Sequence, residues 1–144
     1  MIAIGCDHGG INLKSAIMKK LDEMGESYKD FGTYTAESCD YPDIAKAVCG
    51  AIVSGECEKG ILICGTGIGI SIAANRFKGI RAAVLYDDFT AEMTKKHNNA
   101  NVLVFGGRTM KFEDVIRRIE IFNNTEFEGG RHATRIAKIE EGVE

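Results

Sequence analysis

An α/β fold, with one parallel sheet covered by helices on both faces, is predicted by three features of this sequence. Short apolar, β-branched runs alternate with longer segments of helical period. The clearest run, Ile61-Leu62-Ile63-Cys64, is apolar without alternation, as a strand buried on both faces must be. Polar or glycine-rich residues recur directly after strands, at Asp7-His8-Gly9-Gly10, Gly65-Thr66-Gly67-Ile68-Gly69 and Gly106-Gly107-Arg108.

Taken in order, Ile2-Ala3-Ile4 opens as a strand. Leu13, Ala16, Ile17, Leu21 and Met24 then fall on one helical face that Gly25 stops. Tyr28 to Phe31 reads as a short strand. Pro42, the only proline, precedes a stripe of Ile44, Ala47, Val48, Ala51 and Ile52, and a first helical turn suits it. After the strand at 61–64 a helix is expected from Ser71 to Phe77, then a strand from Ile80 to Leu85. Asp87 or Asp88 caps the helix through Phe89 and Met93. Asn101 to Phe105 is the fifth strand; Phe112, Val115, Ile116, Ile119 and Phe122 mark a further helix, and Arg131 to Ile139 the last. Right-handed crossovers leave few topologies. The expectation is a Rossmann-like (flavodoxin-like) doubly wound five-stranded parallel sheet in three α/β/α layers. Such sheets bind ligands at the carboxyl ends of the strands, near the switch point in strand order.

The 144 residues suit one domain, 1–144, and no repeat, low-complexity stretch or linker divides them. At 44% hydrophobic and 27% charged residues the chain is globular in composition. A net charge of −3 gives no reason to expect nucleic acid or a membrane as partner. No basic leader and no apolar run of membrane-spanning length is visible. Five irregularly spaced cysteines fit free thiols in a reducing compartment, so a cytoplasmic protein is expected. With no C-x-x-C pair and three scattered histidines, no metal site is expected.

The turn Gly65 to Gly69 resembles a dinucleotide fingerprint but fails it: Ile70 stands where the last glycine is needed, and the turn follows the third strand. No Gly-Lys-Ser/Thr ends it, so it is no P-loop. Its clustered amides at a helix start suit a phosphate or a developing oxyanion; a plain strand-to-helix turn is the competing reading. Cys64 stands before that helix, where the dipole favours a thiolate able to take a carbon-bound proton, although a lone cysteine at a strand end is usually a small buried hydrophobe. Asp7 suits an N-cap. His97-Asn98 ends the helix leading to strand five, where a histidine also suits the helix dipole. All these segments are expected to meet at one edge of the sheet. Arg131 and Arg135, four apart after Gly129-Gly130, share a helical face that can grip a phosphate or, alternatively, pair with Glu140 or Glu141.

Together, Asp7-His8-Gly9-Gly10, Cys64-Gly65-Thr66-Gly67-Ile68-Gly69-Ile70-Ser71, His97-Asn98 and Glu128-Gly129-Gly130-Arg131-His132-x-x-Arg135 resemble the type B ribose-5-phosphate isomerases of the ribose/galactose isomerase family. The likeness runs from Met1 to about Ile139. It implies a homodimer or homotetramer with sites between subunits, a sugar phosphate as substrate, and no cofactor. Cys64, His97, Thr66 and Asp7 would be catalytic. Asp7, His8, Tyr41, Gly65, Thr66, Gly67, Ile68, Gly69, Asn98, Arg108, Arg131 and Arg135 would contact substrate. One subunit would supply Asp7, His8, Tyr41 and the 64–69 loop; its neighbour would supply His97, Asn98, Arg108, Arg131 and Arg135. The C-terminal helix, about 131–142, would pack on that neighbour.

The activity so implied is the interconversion of D-ribose 5-phosphate and D-ribulose 5-phosphate in the pentose phosphate pathway. It passes through a cis-enediolate, with Cys64 as base and His97 in ring opening. A hexose-6-phosphate isomerase acting on allose or galactose 6-phosphate is the alternative within the family. A non-catalytic phosphate or nucleotide sensor is the alternative of another class.

Overall fold

The apolar runs become five strands, β1 (Ile2–Cys6), β2 (Tyr28–Asp30), β3 (Lys59–Cys64), β4 (Ala82–Val84) and β5 (Val102–Gly106), in a computed structural model that describes residues 1–142. Six helices connect and follow them: α1 (Ile11–Glu23), α2 (Tyr41–Val53), α3 (Ile68–Ala74), α4 (Asp88–Lys96), α5 (Phe112–Asn123) and α6 (Arg131–Glu141). All strand pairs are parallel. Alternate residues feed two separate cores, as the pleat requires. Ile2, Ile4, Ile61, Ile63, Leu103 and Phe105 face α1, α4 and α5. Ala3, Leu62, Cys64, Val102 and Val104 face α2 and α3. The expected doubly wound, three-layer sheet is what forms.

The strand order is β2-β1-β3-β5-β4, so β5 inserts between β3 and the short edge strand β4. The chain leaves β1 towards one side of the sheet and leaves β3 towards the other. Their carboxyl ends therefore flank a switch-point crevice. Register brings the two candidate segments together there: Cys6 pairs with Ile63, and Asp7 N–H donates to the Ile63 carbonyl at 3.0 Å.

Two elements differ in extent from expectation, α3 and β4. Helix α3 begins at Ile68, three residues before Ser71, because Gly67 takes a left-handed φ of 83° and turns the chain straight into the helix. Strand β4 spans only Ala82–Val84, because it pairs on one side alone. Elsewhere the signals hold: Pro42 sits in the first turn of α2, and Asp87 rather than Asp88 caps α4, in a capping box with Thr90.

His97 and Asn98 are not at the same edge as Cys64. Helix α4 descends from the carboxyl end of β4, and the segment after it pairs at the amino ends of the strands: Gly60 N–H donates to Asn101 O and Asn101 N–H to Arg81 O. A strand of five or six residues separates the two edges, roughly 15–20 Å. Within one chain, then, the candidate residues form two groups on opposite edges. Among the described residues no helix is long and apolar enough to cross a membrane.

Candidate active site

At the carboxyl edge three strand ends are stitched together by backbone bonds. Gly107 N–H donates to Cys64 O at 2.8 Å, and Arg108 N–H to Gly65 O at 2.9 Å. Gly107 lies so close to the Gly9 carbonyl that no side chain would fit. Cys64 is 5% exposed, and its Sγ accepts the Gly67 N–H at 3.2 Å. That bond is strengthened when the sulfur is a thiolate. Elsewhere in the chain burial pushes the Cys6 thiol up to about 11, Cys49 up to about 12 and Cys57 upward as well, which keeps these three protonated at neutral pH.

Around this sulfur, the Thr66 hydroxyl accepts the Ile68 N–H at 3.2 Å and closes the turn. The exposed side chain of Ile68 points out of the core. First-turn amides of a helix lack intrahelical partners, so the Gly69 N–H faces out beside the sulfur's loop. Tyr41, opening α2, lays its ring on Gly69; a Cβ there would stand 2.7 Å from the ring's Cζ. Buried Asp7 holds the next turn by accepting the Gly9 N–H at 2.8 Å. His8 Nδ1 accepts the Cys39 N–H at 3.3 Å, which leaves the ring proton of neutral His8 on Nε2 as an outward donor. The Arg108 guanidinium belongs to this group as well: its Nη1 would be 3.3 Å from a Cβ on Gly65 of the same chain. The expectation that Arg108 is supplied from a neighbour is corrected accordingly, because β5 lies next to β3 and delivers it directly.

The amino edge holds the second group. His97 caps the carboxyl end of α4, and its Nε2 stands 3.5 Å from a Glu128 carboxylate oxygen. Its ring stacks on His132 with centroids 4.1 Å apart and planes 12° from parallel. His132 is 5% exposed, and among the described residues its Nε2 has no hydrogen-bond partner. Burial, with the charges of His97 and Arg131 adding to it, pushes the His132 imidazolium below the usual histidine range, so this ring is neutral near pH 7. Arg131 and Arg135 stand exposed on α6, and Asn98, also exposed, lies near Ile139 and Glu140 towards the far end of that helix. The alternative pairing with Glu140 does not form: Glu140 binds Arg81 at 3.0 Å and the Gly79 N–H at 3.2 Å, fastening α6 to the body of the domain.

His97, Glu128 and His132 each bring a ligand atom within 4.8 Å of the others. Two imidazoles stacked nearly parallel aim their in-plane lone pairs side by side instead of at one ion, so the pair suits proton handling better than coordination. The role of His132 is the feature that sequence reasoning missed. It lies within a motif, yet only the docking of α6 against α4 shows it beneath His97. Lys14 is a second such case: it is buried, and it donates to Asp30 at 2.8 Å and to Thr33 O at 2.6 Å, holding the loop that leads to Cys39.

The whole chain is similar to known proteins. A chain from Escherichia coli (strain K12) named ribose-5-phosphate isomerase B is 46% identical over 138 residues, 96% of this chain and 93% of its own. A putative sugar phosphate isomerase of Bacillus subtilis (strain 168) is 48% identical over 140 residues, 96% of this chain and 93% of its own. Among solved structures, ribose-5-phosphate isomerase B of Clostridium thermocellum superposes with a TM-score of 0.95 at 50% identity, covering 97% of this chain and 95% of its own. The Mycoplasma genitalium enzyme with bound ribulose-5-phosphate gives 0.92 at 38% identity, covering 97% and 93%. A family model described as Ribose/Galactose Isomerase matches residues 2–139, and the chain belongs to that family.

Proposed function

We propose that this protein is an aldose–ketose isomerase that interconverts D-ribose 5-phosphate and D-ribulose 5-phosphate through a cis-enediolate, with Cys64 as the base. The observation that carries the mechanism is the buried Cys64 sulfur accepting the Gly67 N–H in the crevice between β1 and β3, with Asp7 and Arg108 beside it. Relatives named for this reaction, and one structure holding ribulose-5-phosphate, support the choice of substrate.

The steps follow from the residues. The ring form of ribose 5-phosphate opens with proton transfer by His97 while Asp7 orients the sugar hydroxyls. The Cys64 thiolate takes the proton from C2, and the electron pair moves onto the C1 carbonyl to give the enediolate. Amides of the Gly65–Gly69 loop and the Thr66 hydroxyl meet its two oxygens. The O2 hydroxyl proton passes to O1, and the same sulfur returns the carbon-bound proton to C1, leaving the ketone at C2 and a hydroxyl at C1. His8 and Arg108 take the phosphate from the side of the sulfur, Arg131 and Arg135 from the side of His97, and Tyr41 and Asn98 line the sugar. Remote phosphate binding holds the reacting carbons in place. No step requires a metal.

His97 and Cys64 lie on opposite edges of one chain, so this reading needs a second copy. We infer a homodimer, or a tetramer built from dimers, in which the carboxyl edge of each subunit closes on His97 and α6 of its neighbour.

Two experiments test this. A coupled assay with chelator present is expected to convert ribose 5-phosphate faster than allose or galactose 6-phosphate; the reverse preference would reassign the substrate. Mixing inactive Cys64→Ala with inactive His97→Ala is expected to restore activity to about a quarter of wild type, because random pairing leaves one intact site in each mixed dimer. No recovery on mixing would overturn the shared site.

A further inference from the structure

Beyond the catalytic groups, a cleft of about 480 Å³ opens at the amino edge, where the start of β3, the end of α4 and the end of α5 meet. Its cationic lining is Lys59, Lys95 and Arg81, with Asn99, Asn101 and Asn123 as polar neighbours and Glu58 as the one acid. The three cations are not equivalent. Arg81 is spent on the fold: Nε and Nη2 donate to the Asn99 carbonyl, and Nη1 pairs with Glu140. Lys59 donates to the neutral Asn123 amide oxygen at 2.7 Å, and among the described residues neither Lys59 nor Lys95 forms an ion pair. Both ammonium groups instead gather at the Phe122 ring, 6.0 Å and 5.2 Å from its centroid.

Two half-buried ammonium groups facing one cleft repel each other unless an anion lies between them. Burial already pushes Lys59 below the usual lysine range; Glu26 and Glu58 oppose the fall and the like charge of Lys95 deepens it. A tetrahedral dianion would accept from both ammonium groups and reach the asparagine amides at the rim. We propose that this cleft is a second anion site, separate from the catalytic phosphate grip, that takes a phosphate group between Lys59 and Lys95. Lys95 stands two residues before His97 and Asn99 two residues after it, so a phosphate held there grips the helix end that carries the ring-opening histidine. The phosphate group can be free or belong to a nucleotide, since either presents the same oxygens.

The test is a titration of inorganic pyrophosphate into ¹⁵N-labelled full-length protein, followed by amide NMR. A saturating equilibrium mixture of ribose and ribulose 5-phosphates keeps the catalytic phosphate positions filled. Saturable shifts are expected at the amides of Lys59, Lys95, Asn99 and Ala100. The double variant Lys59→Gln/Lys95→Gln should weaken them by on the order of tenfold or more while turnover without pyrophosphate stays as in wild type. A parallel titration with adenosine diphosphate decides the source: tighter binding than pyrophosphate points to a nucleotide, equal or weaker binding to free phosphate. If the double variant fails to fold, Lys95→Gln alone is read the same way. Absence of saturable shifts at these four amides, or equal binding by wild type and variant, overturns the proposal. Because the readout is the place of the shift and not turnover, it stands apart from the assignment of the isomerase reaction.

Discussion

The two edges of the sheet are built on different physical principles. At the carboxyl edge the groups nearest Cys64 are largely main chain: glycine turns, amides and the bonds that tie β1, β3 and β5 together at their ends. Hardly any side-chain freedom remains there to be lost. The amino edge presents long, exposed arginines on α6, a helix fastened by Glu140 and by the Glu128 N–H bond to Lys96 O. Proton transfer between adjacent carbons tolerates little positional error, whereas a phosphate can be gripped by flexible cations and still be held. The proposed division of labour follows: the reacting carbons sit on the rigid edge, and the mobile arginines reach in from the neighbour.

The sharpest break of that contrast is Cys64→Ala. It is expected to leave the fold intact, since the added cavity is a single sulfur atom, and to lower kcat by roughly 10²–10⁴. Turnover close to wild type in a steady-state assay would remove the sulfur from the mechanism. Arg131→Ala acts on the other edge. The loss of a charge-assisted bond there should appear mainly as a KM increase on the order of 10–100-fold with kcat changed less; a pure kcat effect would mean that the arginine serves the chemistry and not the grip.

Gly67→Ala asks how rigid the carboxyl edge is. Its φ of 83° and the Phe105 carbonyl 3.1 Å from an added Cβ predict a loss of about 1–2 kcal/mol in urea unfolding, with a fall in kcat because the amide that faces Cys64 moves. An unchanged midpoint would mean that the turn has slack. The smallest effect is that of His132. Its folded-state pKa lies below the ordinary 6.5, so the unfolded chain binds the proton more readily. The stability this ring contributes is present above about pH 6.5 and is lost as the pH falls through the depressed value. His132→Phe should flatten the drop in Tm between pH 7 and pH 5. Identical slopes in the two proteins would remove His132 from the acid sensitivity of the fold.

The fold was readable because strands buried on both faces must be apolar throughout, as in β3, and because helices of this fold carry stripes such as Leu13, Ile17 and Leu21. The carboxyl-edge half of the candidate site was more readable: Asp7, His8 and Cys64 follow strands directly and are placed as soon as the strands are, whereas Arg108, expected from a neighbour, joins them only because β5 lies beside β3. The amino-edge half was readable only as motifs. His97 is attached to a helix that runs away from Cys64, and no local pattern states in which direction a connecting helix is travelling relative to a distant turn. Strand order was likewise hidden, since β5 inserts beside β3 through contacts far apart in sequence.

Local chemistry therefore determined what this protein carries: a thiol before a glycine turn, a pair of arginines one helical turn apart, and strands that alternate with helices. Those are properties of neighbours along the chain, where backbone preference and hydrophobic period act. Tertiary structure alone decided that the thiol and the histidine stand on opposite edges, that His97 rests on a buried His132, and that two lysines share one cleft. Each of these depends on how separate elements pack, and packing energy is a sum over contacts between residues that the order of the chain keeps apart.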